Sequence, residues 1–324
     1  MVAVGLAMAL TLGACGSDAE RPSAGSGTST TSTEAPQTPA TTGADGYTPV
    51  SDVAPHAAIG LDAKEIRSLM EPATSGGEVD WEAVGRIFTE GKNSKKAEGL
   101  RSLATLAPDD AATTMVLEAI RGTGSAAEAG AGVRRQKVDK GIMVILERKV
   151  LAELAAASKK LADNKIDAAT GAPHNVDEAW AFYTAEENGP AATATKRASD
   201  FKKEGQVHEA VVKALSSAQA AASSGDAAGL EAATAEVEAA LDYVFYLATF
   251  KYLDTKNDPT TRAEGETFYL GIQSELAKEA PEADKAIRAA FASGDAQAGR
   301  TALNSAAALE ALGVSEQDKV ESMP

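Results

Sequence analysis

Pro173-His174-Asn175-Val176-Asp177-Glu178-Ala179-Trp180-Ala181-Phe182-Tyr183 returns later in the same chain as Pro259-Thr260-Thr261-Arg262-Ala263-Glu264-Gly265-Glu266-Thr267-Phe268-Tyr269. The shared form is P-x-[N/T]-x-x-E-x-x-x-F-Y, and a proline followed by a short polar residue and then a carboxylate reads as a helix start. Downstream, Ser224-Gly225-Asp226-Ala227 recurs as Ser293-Gly294-Asp295-Ala296, each copy between helical stretches. Upstream, each copy follows a long apolar segment, Ile142 to Leu161 and then Leu241 to Leu253. Such self-similarity marks a supersecondary unit whose apolar face is covered by its neighbour. The chain therefore reads as two related helical units, 138–237 and 238–313, packed about a pseudo-two-fold axis. An insertion around Glu186 to Gly205 lengthens the first.

The remaining sequence agrees with a helical bundle. Trp81, Val84, Ile87 and Phe88 recur at helical spacing after Asp80, and Gly91 stops the run. Thr113 to Arg121 is a second short amphipathic stretch, and no segment alternates with period two for long enough to argue a sheet. Aromatic residues make up only 5% of the 324 residues, and alanine is abundant, which suits closely packed helices. The expected fold is all-α, a bundle of about ten helices built on a tandem repeat. Within the helical domain, 47–324, residues 47–137 form an N-terminal layer and a short acidic tail follows residue 313.

Ahead of that domain, Val2 to Leu12 is almost wholly apolar and leads into Leu12-Gly13-Ala14-Cys15, which resembles a bacterial lipobox. The run is too short for a permanent membrane span, so residues 1–14 read as a lipoprotein signal peptide and Cys15 as the lipid acceptor. Residues 15–46 are Ser, Thr, Pro, Gly and Ala with few charges, a composition that reads as a disordered tether. Cys15 is the only cysteine, which excludes an intramolecular disulfide and a thiolate metal site. A formal net charge of -16 disfavours nucleic acid as a partner and attracts cations.

Glu178 and Glu264 each lie three residues after an N-cap type residue, Asn175 and Thr261, which is the spacing of a capping box. The other reading of the same residues is that two equivalent carboxylates converge inside a bundle to hold a metal, as paired glutamates do in helical metalloproteins. Glu147 and Asp242 sit on the long apolar helices and must be paired, metal-bound or protonated if buried. They are candidate partners for Glu178 and Glu264. Glu266, Tyr183, Tyr246 and Tyr269 add oxygen donors of second rank, the tyrosines being more simply core residues with satisfied hydroxyls. The histidines are His56, His174 and His208, with neither H-E-x-x-H nor E-x-x-H spacing. His174, close to Glu178, joins the ligand candidates. A zinc protease, a serine hydrolase elbow, a P-loop and a dinucleotide fingerprint have no support.

His174-Asn175-Val176-Asp177-Glu178-Ala179-Trp180-Ala181-Phe182-Tyr183 resembles the [W/V]-D-E-A-x-A-F-Y segment of algal low-iron-inducible periplasmic, or iron-assimilating, proteins. Arg262-Ala263-Glu264-Gly265-Glu266-Thr267-Phe268 is similar to their later A-E-G-x-x-F element. Gly91-Lys92-Asn93-Ser94 with Arg101-Ser102-Leu103 resembles their early G-K-N-S and R-[S/T]-L stretch. The three matches keep their order and span most of residues 80 to 290. The resemblance implies an extracytoplasmic role in iron acquisition, with ferrous or ferric iron as the bound ion. Together with the lipobox, it leads to an expected iron-binding lipoprotein on the outer face of a bacterial membrane. Such a protein is anchored through Cys15 and works beside an iron transporter or another envelope protein. A ferroxidase would instead consume oxygen with ferrous ion, and a metal-free scaffold would stay helical and bind no metal.

Overall fold

Residues 46–255 and 258–324 are described by a computed structural model of the chain, and among them the helix is the dominant regular element. The only extended pairing there is an isolated antiparallel bridge between Lys95 and Leu100. The all-α expectation therefore holds. The signal peptide, the lipid-acceptor Cys15 and linker residues 15–45 lie outside the described residues. Among the described residues, no helix is long and apolar enough to cross a membrane.

The N-terminal layer contains α1 (Ala54–Ala57), α2 (Ile59–Leu69), α3 (Trp81–Glu90) and α4 (Ala111–Arg121). Asp80 caps α3 through the Ala83 amide and buries Val84, Ile87 and Phe88, the periodic apolar positions of that segment. The first repeat then supplies α5 (Ala131–Ala162), α6 (Ala172–Thr184), α7 (Pro190–Phe201) and α8 (Val207–Ser224). The second supplies α9 (Ala227–Asp254), α10 (Pro259–Glu279), α11 (Pro281–Ser293) and α12 (Ala296–Leu303), followed by α13 (Ala306–Ala311). The expected insertion contains α7. The unit boundaries expected at 138 and at 237/238 fall inside α5 and α9.

α5 packs on α4, α6 and α10, while α10 also packs on α9. The buried face of α5, including Ile142, Ile145, Leu146, Val150 and Leu154, joins Phe245, Tyr246 and Phe250 of α9 in one continuous apolar core. Each such side chain contributes roughly 1.5–3 kcal/mol when fully buried, which outweighs the weak intrinsic preference of any one helix. α2 reaches the end of α6 closely: a Cβ on Gly60 would stand 1.6 Å from the Ala185 carbonyl oxygen. Any larger residue there would push the two helices apart.

The Ser-Gly-Asp-Ala repeats are true cap devices. Gly225 and Gly294 take φ +76° and +78° at the ends of α8 and α11. Asp226 and Asp295 then accept the Gly229 and Ala298 amides at 2.9 and 3.0 Å, opening α9 and α12. A left-handed glycine followed by an N-cap aspartate turns the chain in very few residues.

The capping-box reading of Glu178 and Glu264 is overturned. The N-cap of α6 is Gly171 and that of α10 is Asp258, so both prolines lie within the first turn. Asn175 and Thr261 are already helical, and both glutamates sit a further turn along. Their side chains are therefore free of the helix ends and project towards neighbouring elements.

Candidate metal centre

Glu178 is brought to a small polar centre by α6, and two imidazoles meet it there. The Nε2 atoms of His56 and His174 lie 2.8 and 3.1 Å from the same oxygen, Glu178 Oε1. His174 is one turn back on the same helix. His56 comes from the segment before α2, far away in sequence. Asn175 Nδ2 donates to Glu178 Oε2 at 3.1 Å and to Glu153 Oε2 of α5 at 2.5 Å. Lys149, one turn back on α5, bonds the other Glu153 oxygen at 2.5 Å.

Asp177, with no exposed surface, fixes the strap that carries His56. Its Oδ2 accepts the Val50 and Ser51 amides at 2.8 Å each and the Ser51 hydroxyl at 2.7 Å. Its Oδ1 accepts the Tyr47 hydroxyl at 2.7 Å, and the Tyr47 ring stacks on Trp180. Burial pushes the Asp177 carboxyl up, and the bonds from Ser51, Tyr47 and Val50 pull it back. A second clamp grips the strap at Pro55. Buried Asp62 accepts the Lys92 and Asn93 amides at 3.1 and 2.9 Å, which fixes the Gly91–Ser94 turn. Ser94 Oγ then donates to the Pro55 carbonyl at 2.7 Å, and Arg101 donates to Ser94 Oγ at 2.8 Å.

The hydrogen bonds assign one imidazole tautomer. Ser51 commits its hydroxyl hydrogen to Asp177, and its oxygen lies 2.8 Å from His174 Nδ1. His174 therefore donates from Nδ1, and its Nε2 faces Glu178 Oε1 with a lone pair whenever the ring is neutral. Metal-binding histidines are oriented in the same manner, by a hydrogen bond from the nitrogen remote from the ion. His56 Nδ1 and Asn175 Oδ1 are buried atoms without a hydrogen-bond partner, so the centre has unspent polar capacity.

Glu153 and Glu178 behave as one acid pair. Burial, followed by the hydrogen bond and charge of Glu178, pushes Glu153 up. Burial also opposes ionisation of Glu178, but hydrogen bonds from His56 and Glu153 and the fields of both imidazoles hold it down, at about 2. Of the two, Glu153 is the more readily protonated. Among the described residues, no group of three or more His, Cys, Asp or Glu side chains stands in metal-holding geometry.

Glu264, the repeat counterpart of Glu178, has other neighbours. Lys140 Nζ lies 3.1 Å from its Oε1, and Tyr252 donates its hydroxyl to the same oxygen. The two glutamates share no bonding partner. Glu147 and Asp242 do not join either of them. Glu147 pairs with Arg148 at 3.3 Å and feels the charges of Asp242, Asp110 and Glu238. The Tyr183 hydroxyl lies 2.9 Å from His208 Nδ1, Tyr269 donates to Asp284 at 2.9 Å, and Tyr246 donates to Asn304 at 2.8 Å. Glu266 is exposed on α10. Of the residues singled out in the sequence, the centre collects Glu178 and His174; His56, Glu153, Asn175 and Ser51 are additions that only the fold shows.

Two imidazoles, two carboxylates and an amide thus meet at one polar centre of a helical bundle. The chain matches the low iron-inducible periplasmic protein family over residues 23–242, and it belongs to that family. No curated protein and no solved structure matches it. The family's description gives the chain an extracytoplasmic setting and a connection with iron. The early and middle motifs of the sequence, Gly91–Arg101 and His174–Tyr183, are the segments that build the centre and clamp its strap.

Proposed function

We propose that the chain binds iron for assimilation outside the cytoplasm, as cargo, at His56, His174, Glu178 and Glu153. The observation that carries this reading is the approach of two imidazole Nε2 atoms to one carboxylate oxygen, with the His174 tautomer set by Ser51. Imidazole and carboxylate together suit ferrous ion, and the two carboxylates keep the set acceptable to ferric ion. An entering ion competes with protons for these carboxylates and imidazoles, so affinity rises with pH. Lys149 and the nearby charge of Arg101 temper the negative centre, which favours release as well as capture. Anchoring through a lipidated Cys15, beside a transporter in the membrane, completes the reading.

Calorimetric titration with ferrous ion under anaerobic conditions, and with chelated ferric ion, tests it. His56→Ala with His174→Ala should abolish binding while the chain stays helical. Ser51→Ala leaves every donor in place, frees the His174 ring and removes one of the four bonds by which Asp177 holds the strap. Its affinity should fall about 10–100-fold, the usual cost of losing the group that orients a ligand. Unchanged affinity in the double histidine variant sinks the assignment.

A further inference from the structure

Each repeat places a glutamate one turn before a phenylalanine, and each phenylalanine has a lysine of α5 beside it. Lys149 Nζ lies 5.6 Å from the centre of the Phe182 ring, and Lys140 Nζ lies 5.6 Å from that of Phe268. The lysines then part ways. Lys149 is drawn aside by Glu153, which leaves Glu178 to the two imidazoles. Lys140 bridges Asp139 Oδ2 at 2.8 Å and Glu264 Oε1 at 3.1 Å, where Tyr252 also donates its hydroxyl. Arg67 completes the group by donating to Asp139 Oδ1 and to Asn188.

We propose that Lys140 is the built-in counter-ion of the second repeat, and that it confines cation binding to the first repeat although both carry the same glutamate. An ammonium has three donors and no lone pair, so Lys140 can occupy the place of a cation but cannot ligate one. Neutral imidazole at the first glutamate does ligate. The side chains of Lys140 and Glu264 are 20% and 14% exposed, so their pairing is shielded from solvent more than a surface pair is. With the ammonium removed, Glu264, the Tyr252 hydroxyl and Asp139 Oδ2 form an oxygen set suited to a hard cation, with Arg67 still donating to Asp139 Oδ1 and Arg197 3.5 Å from the Tyr252 hydroxyl. The contrast between repeats rests on the iron site proposed above, whereas the test below does not.

Terbium(III), a hard ion whose emission is excited through a nearby tyrosine, is the probe. The full chain carrying Glu178→Gln silences the first repeat, and sensitised emission is followed on titration. With Lys140 intact, adding Glu264→Gln should change nothing. Introducing Lys140→Met should produce a new saturable emission, and Glu264→Gln or Tyr252→Phe should remove it. Lys140→Gln repeats the measurement with a polar neutral side chain should the methionine variant melt early. The proposal is overturned if a folded Lys140 variant gains no Glu264-dependent site, or if Glu264→Gln weakens binding while Lys140 is present. Failure of the first-repeat iron site would appear separately, as absence of iron binding in the unaltered chain.

Discussion

Glu147 shows how a single carboxyl can work against its own fold. Burial pushes it up to about 8, against the pull of Arg148, and the charges of Asp242, Asp110 and Glu238 add to the rise. Asp242 is pushed up to about 7 by burial first and by Glu238 next. Both groups hold a proton more tightly in the folded chain than in the unfolded one. The stability they contribute is complete below the ordinary value of 4.5 for Glu147 and is lost as pH rises towards about 8. The chain should therefore melt lower near pH 8 than near pH 5, by an amount on the order of a few kcal/mol for this pair. Glu147→Gln should flatten that dependence, raising the melting temperature near pH 8 and changing it little near pH 5. Parallel melting curves for the variant and the unaltered chain at both pH values would count against this account. The sequence shows that these acids lie on apolar helices, and so need compensation. It does not show that compensation comes from Arg148 and a proton, because the neighbouring acids arrive from α4 and α9.

Helix starts carry the lesson at the next scale. Proline favours the first turn of a helix, where its missing N–H costs nothing. Pro173 and Pro259 therefore set the N-cap upstream of themselves, and Asp258 was in place to take that role. It accepts the Thr260 and Thr261 amides at 2.9 and 3.1 Å. Asp258→Ala should cost about 0.5–2 kcal/mol in urea denaturation, as loss of an N-cap does, and Thr261→Ala should cost less. Equal losses would restore a capping role to Thr261. The same rule releases Asn175 to bridge Glu153 and Glu178. Periodicity made the long helices legible, whereas the repeat offset showed only that an insertion stands around Glu186 to Gly205 and not that it forms α7. The Ser-Gly-Asp-Ala turns were legible as repeats. The centre itself was only half legible. Glu178 and His174 stood out through the repeat, but His56 lies in a segment too short to show a pattern. Glu153 reads locally as one half of an ordinary i,i+4 pair with Lys149. Contacts across such sequence separations follow from packing, which no local spacing encodes.

For the whole molecule, the first question is what holds it in place. Among the described residues no helix can cross a membrane, and the chain carries a net charge of -16, which gives no attraction to an anionic lipid surface. The family match begins at residue 23, after Leu12-Gly13-Ala14-Cys15. The described chain begins at Gly46 and runs directly through Tyr47 and Ser51 to His56, so the strap of the polar centre is the described part closest in sequence to Cys15. Asp177 holds that strap by four hydrogen bonds, which separates the centre from whatever happens upstream. Cys15→Ser should therefore move the chain from the membrane fraction to the soluble fraction without altering its melting temperature or its iron affinity. A single acyl chain binds a bilayer only marginally, whereas a lipoprotein cysteine carries several and resists washing. Fractionation of cells expressing the two forms, with a carbonate wash, distinguishes the cases. Retention of the serine variant on washed membranes would assign attachment to a protein partner. Release accompanied by loss of iron affinity would mean that the strap depends on the anchor.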